Sequence, residues 1–303
     1  MAKENLPLVT IGVCVRNAAS TIREAIESII AQDYPHELIE VIFVDDGSND
    51  NTLFIIREYA SKMSTKMRVK IFRHKWRGLG YSRNVVVKRA SGKYIVWVDG
   101  DMILPKDHIT RQAKFMEKNP MVGIGKARHG LIYGENCIAL LENLPFVISD
   151  LNNESLNIKL PGTGGSIYRV DAVRQVVGFD ERLSGVGEDQ EVAFRIKEAG
   201  WNIERTDAFF YERREHTWKD LWRKYFWYGY GNYKLFRKNR KLIMPIKMTP
   251  LAGLITGVIY LIKAFQLNYR SACLLIFPLQ FAFKMTVWCL GFIKSHTDSL
   301  GNK

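Results

Sequence analysis

Over its first hundred residues the chain alternates short apolar runs with stretches of helical periodicity, and this constrains the fold more than any other feature. Leu8 to Val15, Leu38 to Val44, Val69 to Phe72 and Tyr94 to Val98 read as strands. A first helix follows Ser20, its expected N-cap, with Ile22, Ala25, Ile26, Ile29 and Ile30 on one face until Asp33-Tyr34-Pro35 stops it. Thr52 to Met63 and Tyr81 to Arg89 read as the next two helices. Strands joined by helices at this spacing predict an α/β fold, a parallel sheet covered by helices. In such sheets ligands collect outside the carboxyl ends of the strands. Three of those ends are polar here: Arg16-Asn17, Asp45-Asp46-Gly47-Ser48 and Asp99-Gly100-Asp101.

The last of these carries the most chemistry. Period-two alternation places Asp99 and Asp101 on one side of the chain, and Gly100 lets the backbone turn between them. Two carboxylates there suit a divalent cation that also holds phosphate oxygens, since magnesium is typically bound by one or two carboxylates plus substrate phosphates.

Beyond Asp101 the periodicity weakens. His108 to Lys118 reads as helical, Met121 to Ala127 as extended, Ile138 to Leu151 as a helix interrupted at Pro145, and Ala172 to Val177 as a short helix. Gly162-Thr163-Gly164-Gly165-Ser166 is a small-residue turn whose Gly164 and Gly165 would let a substrate approach backbone amides. Gly185-Val186-Gly187 leads into a helix ending near Gly200, with Glu188 and Asp189 in its first turn, where acidic residues complement the helix dipole.

The apolar fraction of 47% and charged fraction of 25% are those of a folded chain. The formal net charge of +13 is uneven, for Arg213 to Lys247 carries eleven Lys or Arg against Glu215 and Asp220. Such a block beside apolar segments points to anionic lipid, and no nucleic-acid-binding signature is present. Cys14, Cys137, Cys273 and Cys289 are scattered without a metal or disulfide pattern, which predicts a reducing compartment. The N-terminal residues hold no apolar signal region, so the bulk of the chain is expected in the cytosol.

Taken together, several motifs resemble a family 2 glycosyltransferase with a GT-A fold, over roughly residues 6 to 215. They are Val9-Thr10-Ile11-Gly12-Val13 ending in Arg16-Asn17, Val44-Asp45-Asp46-Gly47-Ser48, Tyr81-Ser82-Arg83-Asn84, Val98-Asp99-Gly100-Asp101, and Gly178-Phe179-Asp180-Glu181 followed by Gly187-Glu188-Asp189. One departure is Cys14, where many members carry proline. The resemblance implies sugar transfer from a nucleotide-diphosphate-sugar donor with inversion. It assigns Asp46 to the nucleoside, Arg16 and Arg83 to base or phosphate contacts, and Asp99 and Asp101 to Mg²⁺ or Mn²⁺ on the diphosphate. It makes Asp189 the general base, leaves Gly164, Gly165 and Glu188 on the acceptor side, and offers His216 as a third metal ligand.

From Trp218 aromatic and basic side chains interleave, the pattern of a helix at a bilayer surface. Thr249 to Ile262 and Ala272 to Ile293 follow as apolar runs, expected to form a membrane hairpin, with in-plane helices as the alternative. Gly253-x-x-x-Gly257 would admit the second helix, and Gln280 and Lys284 would turn inward. The expected organisation is a GT-A catalytic domain over 1–215, an interfacial region over 216–247 and a membrane hairpin over 248–303. The expected protein is membrane-associated and faces the cytosol. It would act on a lipid-linked or polysaccharide acceptor; a polyprenyl-phosphate sugar synthase and a non-catalytic nucleotide-sugar-binding protein are the alternatives.

Overall fold

The computed structural model describes residues 6–132, 134–151, 160–183 and 185–301. Within these the chain forms two compact units, one of 6–130, 160–183 and 188–212, the other of 131–151, 185–187 and 213–301 without residue 133.

The first unit is built on a sheet of β1 (Val9–Val15), β2 (Ile39–Asp45), β3 (Arg68–Arg73), β4 (Tyr94–Trp97), β5 (Met102–Ile103), β6 (Val122–His129), β7 (Ser166–Arg169) and β8 (Asn202–Glu212), in the order β3-β2-β1-β4-β7-β6-β8-β5. The half formed by β3, β2, β1 and β4 is parallel throughout. β7 runs antiparallel to both β4 and β6, and β5 to β8, while β6 and β8 pair in parallel. Every residue of β1, β2 and β4 is buried. Both sheet faces are covered, so these strands read as continuous apolar runs, yet their side chains still alternate between two cores. Val9, Ile11 and Val13 share one core with α1 (Ile22–Ile30), α2 (Thr52–Met63) and α4 (His108–Lys118). Cys14, Ile42 and Trp97 share the other with α3 (Leu79–Arg89), α6 (Val170–Gln175) and α7 (Glu188–Glu198).

Four local expectations are corrected. Thr21, not Ser20, is the N-cap of α1, and it makes no side-chain cap bond. The loop is instead fixed from β2's side, where Ser48 Oγ, Thr52 Oγ1 and Asp50 Oδ2 accept the amides of Asn17, Ala18 and Ala19. α6 ends before Val177, which adopts φ 63° and breaks the helix. α5 (Cys137–Leu151) runs through Pro145 without interruption, because Leu141, Leu144 and Ile148 are all committed to a core and their burial outweighs one lost backbone bond. Asp99 and Asp101 lie beyond the end of β4, in a turn closed by the Met102 amide on the Asp99 carbonyl at 3.2 Å. Strand alternation therefore does not set their directions.

The second unit packs α5, α8 (Trp218–Lys238), α9 (Pro250–Gln266) and α10 (Phe277–Gly301). Gly253 and Gly257 let α9 meet α10, since a Cβ at either would stand 2.7 Å from the carbonyl oxygen of Phe281 or Phe277. α8 crosses α10 closer still, as an added Cβ at Gly229 would overlap the Trp288 carbonyl and one at Gly291 the Phe226 carbonyl. Gln280 and Lys284 do turn inward, and their partners are on α5. Lys284 Nζ pairs with Glu142 Oε1 at 2.6 Å, and Gln280 Nε2 donates to the Ile138 carbonyl at 3.3 Å.

Candidate functional site

The strand order sets β2, β1 and β4 side by side, so their polar carboxyl ends form one rim of the first unit. Loops stitch these ends together. Asn17 takes φ 53°, its amide donates to Ser48 Oγ at 2.9 Å and its own Oδ1 accepts the Asn49 amide at 2.9 Å. The Asp99–Asp101 turn leans on β1 through Gly100, where a Cβ would stand 3.0 Å from the side chains of Val15 and Ala18. A bulkier residue at position 100 would push the two carboxylates off the rim.

Two carboxylates flank one tight turn. A Cβ at Gly164 would lie 2.8 Å from Asp99 Oδ2, and one at Gly162 would lie 3.1 Å from Asp189 Oδ2. Asp99 and Asp189 are thereby brought together across residues 162–164. Asp189 is half-buried at the start of α7, and Gln190's amide donates to its Oδ1 at 2.7 Å. Asp99 keeps 40% of its side-chain surface open. Even so its pKa is raised, first by desolvation, against the pull of Arg83 and with the repulsion of Glu212 and Asp189 added. Asp101 is half-buried in the same turn.

Arg83 sits behind this pair, buried, bonded to Glu188 and 3.8 Å from Asp99. Burial alone would lower its pKa, but the carboxylates of Glu188, Asp99 and Asp189 hold it up. Glu188 is buried too. Desolvation pushes its pKa up to about 7, with Arg83 pulling it down and Asp189 pushing it up. The folded chain thus holds this proton longer than the unfolded chain, whose carboxyl titrates near 4.5. The contribution of Glu188 to stability is full below that value and is lost as pH climbs through about 7. Thermal midpoints are expected to decline across this window and the decline to flatten in Glu188→Gln; an unchanged slope would remove Glu188 as its source.

The remaining sequence candidates fall in different settings. Asp46 is buried, and its two oxygens accept the amides of Arg77 at 2.7 Å and Gly78 at 2.9 Å, so it anchors the loop after β3. Arg16 is exposed with its guanidinium 5.4 Å from the Trp76 ring. Gly165 is buried at φ 66° against Phe210, and its amide donates to the Trp97 carbonyl at 3.3 Å. Its amide is therefore not open to a substrate, in contrast to the expectation for this turn. His216 belongs to the second unit, exposed, with its carbonyl accepting from Asn136 Nδ2 at 2.7 Å. Among the described residues no three His, Cys, Asp or Glu side chains gather into a metal-holding group.

Sequence reasoning missed two residues. Trp76 is 58% exposed beside Arg16, and an exposed tryptophan in the basic loop His74-Lys75-Trp76-Arg77 was the available signal. Lys126 is buried on β6, donates to the Gly164 carbonyl and acts electrostatically on Asp99. Nothing in its local sequence marks it, because the contact crosses the sheet. Cys14 is also buried nearby with its thiol pushed up to about 12 by desolvation, so it stays protonated at neutral pH.

The profile described as Glycosyl transferase family 2 matches residues 10–177, and that of Glycosyl transferase family group 2 matches residues 94–290. The chain belongs to glycosyl transferase family 2. Among relatives, EpsE of Bacillus subtilis (strain 168) is 29% identical over 250 residues, covering 79% of this chain and 84% of EpsE. An uncharacterized glycosyltransferase of Rickettsia felis (strain ATCC VR-1525 / URRWXCal2) is 37% identical over 124 residues, 40% of this chain and 20% of that protein. The chain thus spans only about a fifth of that relative. Among solved structures, the family fold recurs in the mannosyltransferase PcManGT from Pyrobaculum calidifontis in complex with GDP-Man and Mn²⁺. It superposes with a TM-score of 0.67 at 19% identity, covering 97% of this chain and 88% of that one. TarS of S. aureus, residues 1–349 with UDP-GlcNAc, gives 0.55 at 17% identity, covering 96% and 92%. The GT-A architecture expected from the sequence is the one observed.

Proposed function

We propose that this chain transfers a sugar from a nucleotide-diphosphate-sugar donor to a hydroxyl of a lipid-linked saccharide or polysaccharide, with inversion at the anomeric carbon. The observation that carries the reading is the convergence of Asp99 and Asp189 on the 162–164 turn, with Arg83 behind them. The family membership and the GDP-Man and UDP-GlcNAc bound by fold neighbours support it.

Asp99 and Asp101 fit a hard divalent cation, Mg²⁺ or Mn²⁺. They are oxygen donors, and Asp99 is a partly desolvated carboxylate that a cation would stabilise. When bound, the ion would neutralise charge on the departing diphosphate. Arg83 adds fixed positive charge at Asp99's back, and Glu188 holds its guanidinium in place. Arg16 and Trp76 form an exposed cation–aromatic pair near the β1 end that suits a nucleobase, and Asp46 fixes the loop carrying Trp76. Asp189 would take the acceptor's hydroxyl proton while the nucleoside diphosphate leaves from the opposite face of the sugar, by analogy with inverting glycosidases. Gly164 leaves room for the sugar beside Asp99.

The protein would work at the cytosolic face of the cell membrane, where the basic, apolar second unit meets anionic lipid. Thermal unfolding with UDP- and GDP-sugars tests the donor reading, since a ligand at about 100 times its Kd stabilises the native state by ~2.7 kcal/mol. A donor is expected to raise the midpoint with Mn²⁺ present, and Asp99→Asn to abolish the gain. Equal gains in both proteins would contradict the assignment.

A further inference from the structure

We infer that the second unit is a one-leaflet membrane anchor: the outer face of α9 lies within the cytosolic leaflet of an anionic bilayer, and neither α9 nor α10 crosses it. This deepens the membrane-facing part of the proposed function and takes the in-plane alternative in place of the spanning hairpin.

Length and composition alone leave crossing open, for Ala272–Leu300 is apolar enough to span. Packing decides against it. α8 lies along the second half of α10, with Gly229 and Gly291 in reciprocal close contact, Tyr233 Oη bonded to His296 Nδ1 at 2.8 Å and Tyr230 Oη to Asp298 Oδ2 at 3.1 Å. α8 carries Lys219, Asp220, Arg223 and Lys224 in its first turns and Lys234, Arg237 and Lys238 at its end. If α10 crossed the hydrocarbon, this charged helix would be drawn to the same depth, and each charge there is costly. The first half of α10 is tied in the same way, through Lys284, to Glu142 of α5. α9, at 17 residues, is about 25 Å long, shorter than the roughly 30 Å core.

What remains is one face. Leu251, Leu254, Ile255, Val258, Ile259 and Ile262 are all exposed and recur at helical spacing on α9, while its buried residues are Gly253, Gly257 and Ala264. A contiguous apolar stripe of this kind marks an interaction surface. Charge names the occupant. No Asp or Glu occurs between Asp220 and Asp298, a stretch holding twelve Lys or Arg. Exposed Arg237, Lys238, Arg240, Lys241 and Lys247 precede α9 directly. An apolar helix face behind an acid-free basic segment fits the headgroup and upper acyl region of anionic lipid.

The test uses the full chain with vesicles of phosphatidylcholine alone or mixed with phosphatidylglycerol. It is expected to sediment with the mixed vesicles, and Ile255→Glu/Ile259→Glu to lower the bound fraction at least about tenfold. Both positions are at the surface (54% and 46% exposed), so far-UV circular dichroism should be unchanged. The donor-induced thermal shift should also survive, which separates failure of the anchor from failure of the catalytic reading. Equal binding to neutral vesicles, or no effect of the double variant, would overturn the anchor. Topology is read by mass spectrometry on Asn268→Cys treated with a membrane-impermeant maleimide. Modification at residue 268 in inverted membrane vesicles, without detergent, is expected. Modification there only from the outer face of intact cells would establish a spanning hairpin.

Discussion

Asp189→Asn is expected to lower kcat by about 10²–10⁴-fold, the usual contribution of one positioned proton acceptor. The substitution keeps the volume and leaves an amide oxygen for the Gln190 N–H, which now donates to Asp189 Oδ1 at 2.7 Å. The side chain should therefore stay in place while losing its capacity to take a proton, with nucleotide affinity within a fewfold of wild type. The same variant separates acceptor classes. A phosphate nucleophile arrives already ionised and needs no base, so turnover that survives Asp189→Asn would point to a polyprenyl-phosphate acceptor instead of a hydroxyl.

The largest stability effect is expected from the ion pair in the second unit. Lys284 and Glu142 are both buried, with 4% and 2% of their side chains exposed. Glu142→Leu leaves the Lys284 ammonium uncompensated and should cost about 3–5 kcal/mol. Lys284 also lies 4.0 Å from the Phe281 ring centroid and 5.2 Å from that of Tyr225, contacts that would soften the loss without restoring a counter-ion. Glu142→Leu/Lys284→Met replaces the pair with apolar side chains of similar size and should recover most of the deficit, since such replacements are often neutral or stabilising. Chemical denaturation of wild type, the two variants and the single variant Lys284→Met gives the coupling directly. Additive losses in the double variant would show that the two residues act independently.

How legible this molecule was follows from where each contact comes from. β1, β2 and β4 are buried on both faces, so their apolar runs mark them unaided. β8 shows no period-two polarity, for the polar run Glu204-Arg205-Thr206-Asp207 breaks it, and its partners β6 and β5 lie far away in sequence, so nothing local marks it as a strand. β7 has four residues and follows the glycine turn directly. Asp99 and Asp189 were visible because acidic residues recur where predicted strands end or helices begin. The family resemblance implies that they share a site, but their meeting across Gly162–Gly164 was not legible, since it depends on β7 pairing antiparallel with β4. The division of the chain was hidden for a similar reason. α5 precedes β7 in sequence yet packs with the C-terminal helices, through Leu141, Leu144 and Ile148 against Ala264, Leu274 and Phe277.

The same distinction explains the apolar C-terminal runs. Hydropathy registers that α9 and α10 are apolar but not what packs on them, and α8, charged at both ends, crosses α10 in close backbone contact. Gly229 and Gly291 are the sequence trace of that crossing. They are hard to recognise singly, because each matters only with the other opposite.

Crystals soaked with Mn²⁺ and a nucleotide diphosphate would settle the central assignment through the anomalous signal of the metal. The account predicts one strong peak at the Asp99–Asp101 turn, bridged to the diphosphate, with Asp189 facing the side where the sugar would extend. A metal and nucleotide bound away from that turn, or an Asp189 carboxylate directed away from it, would contradict the account.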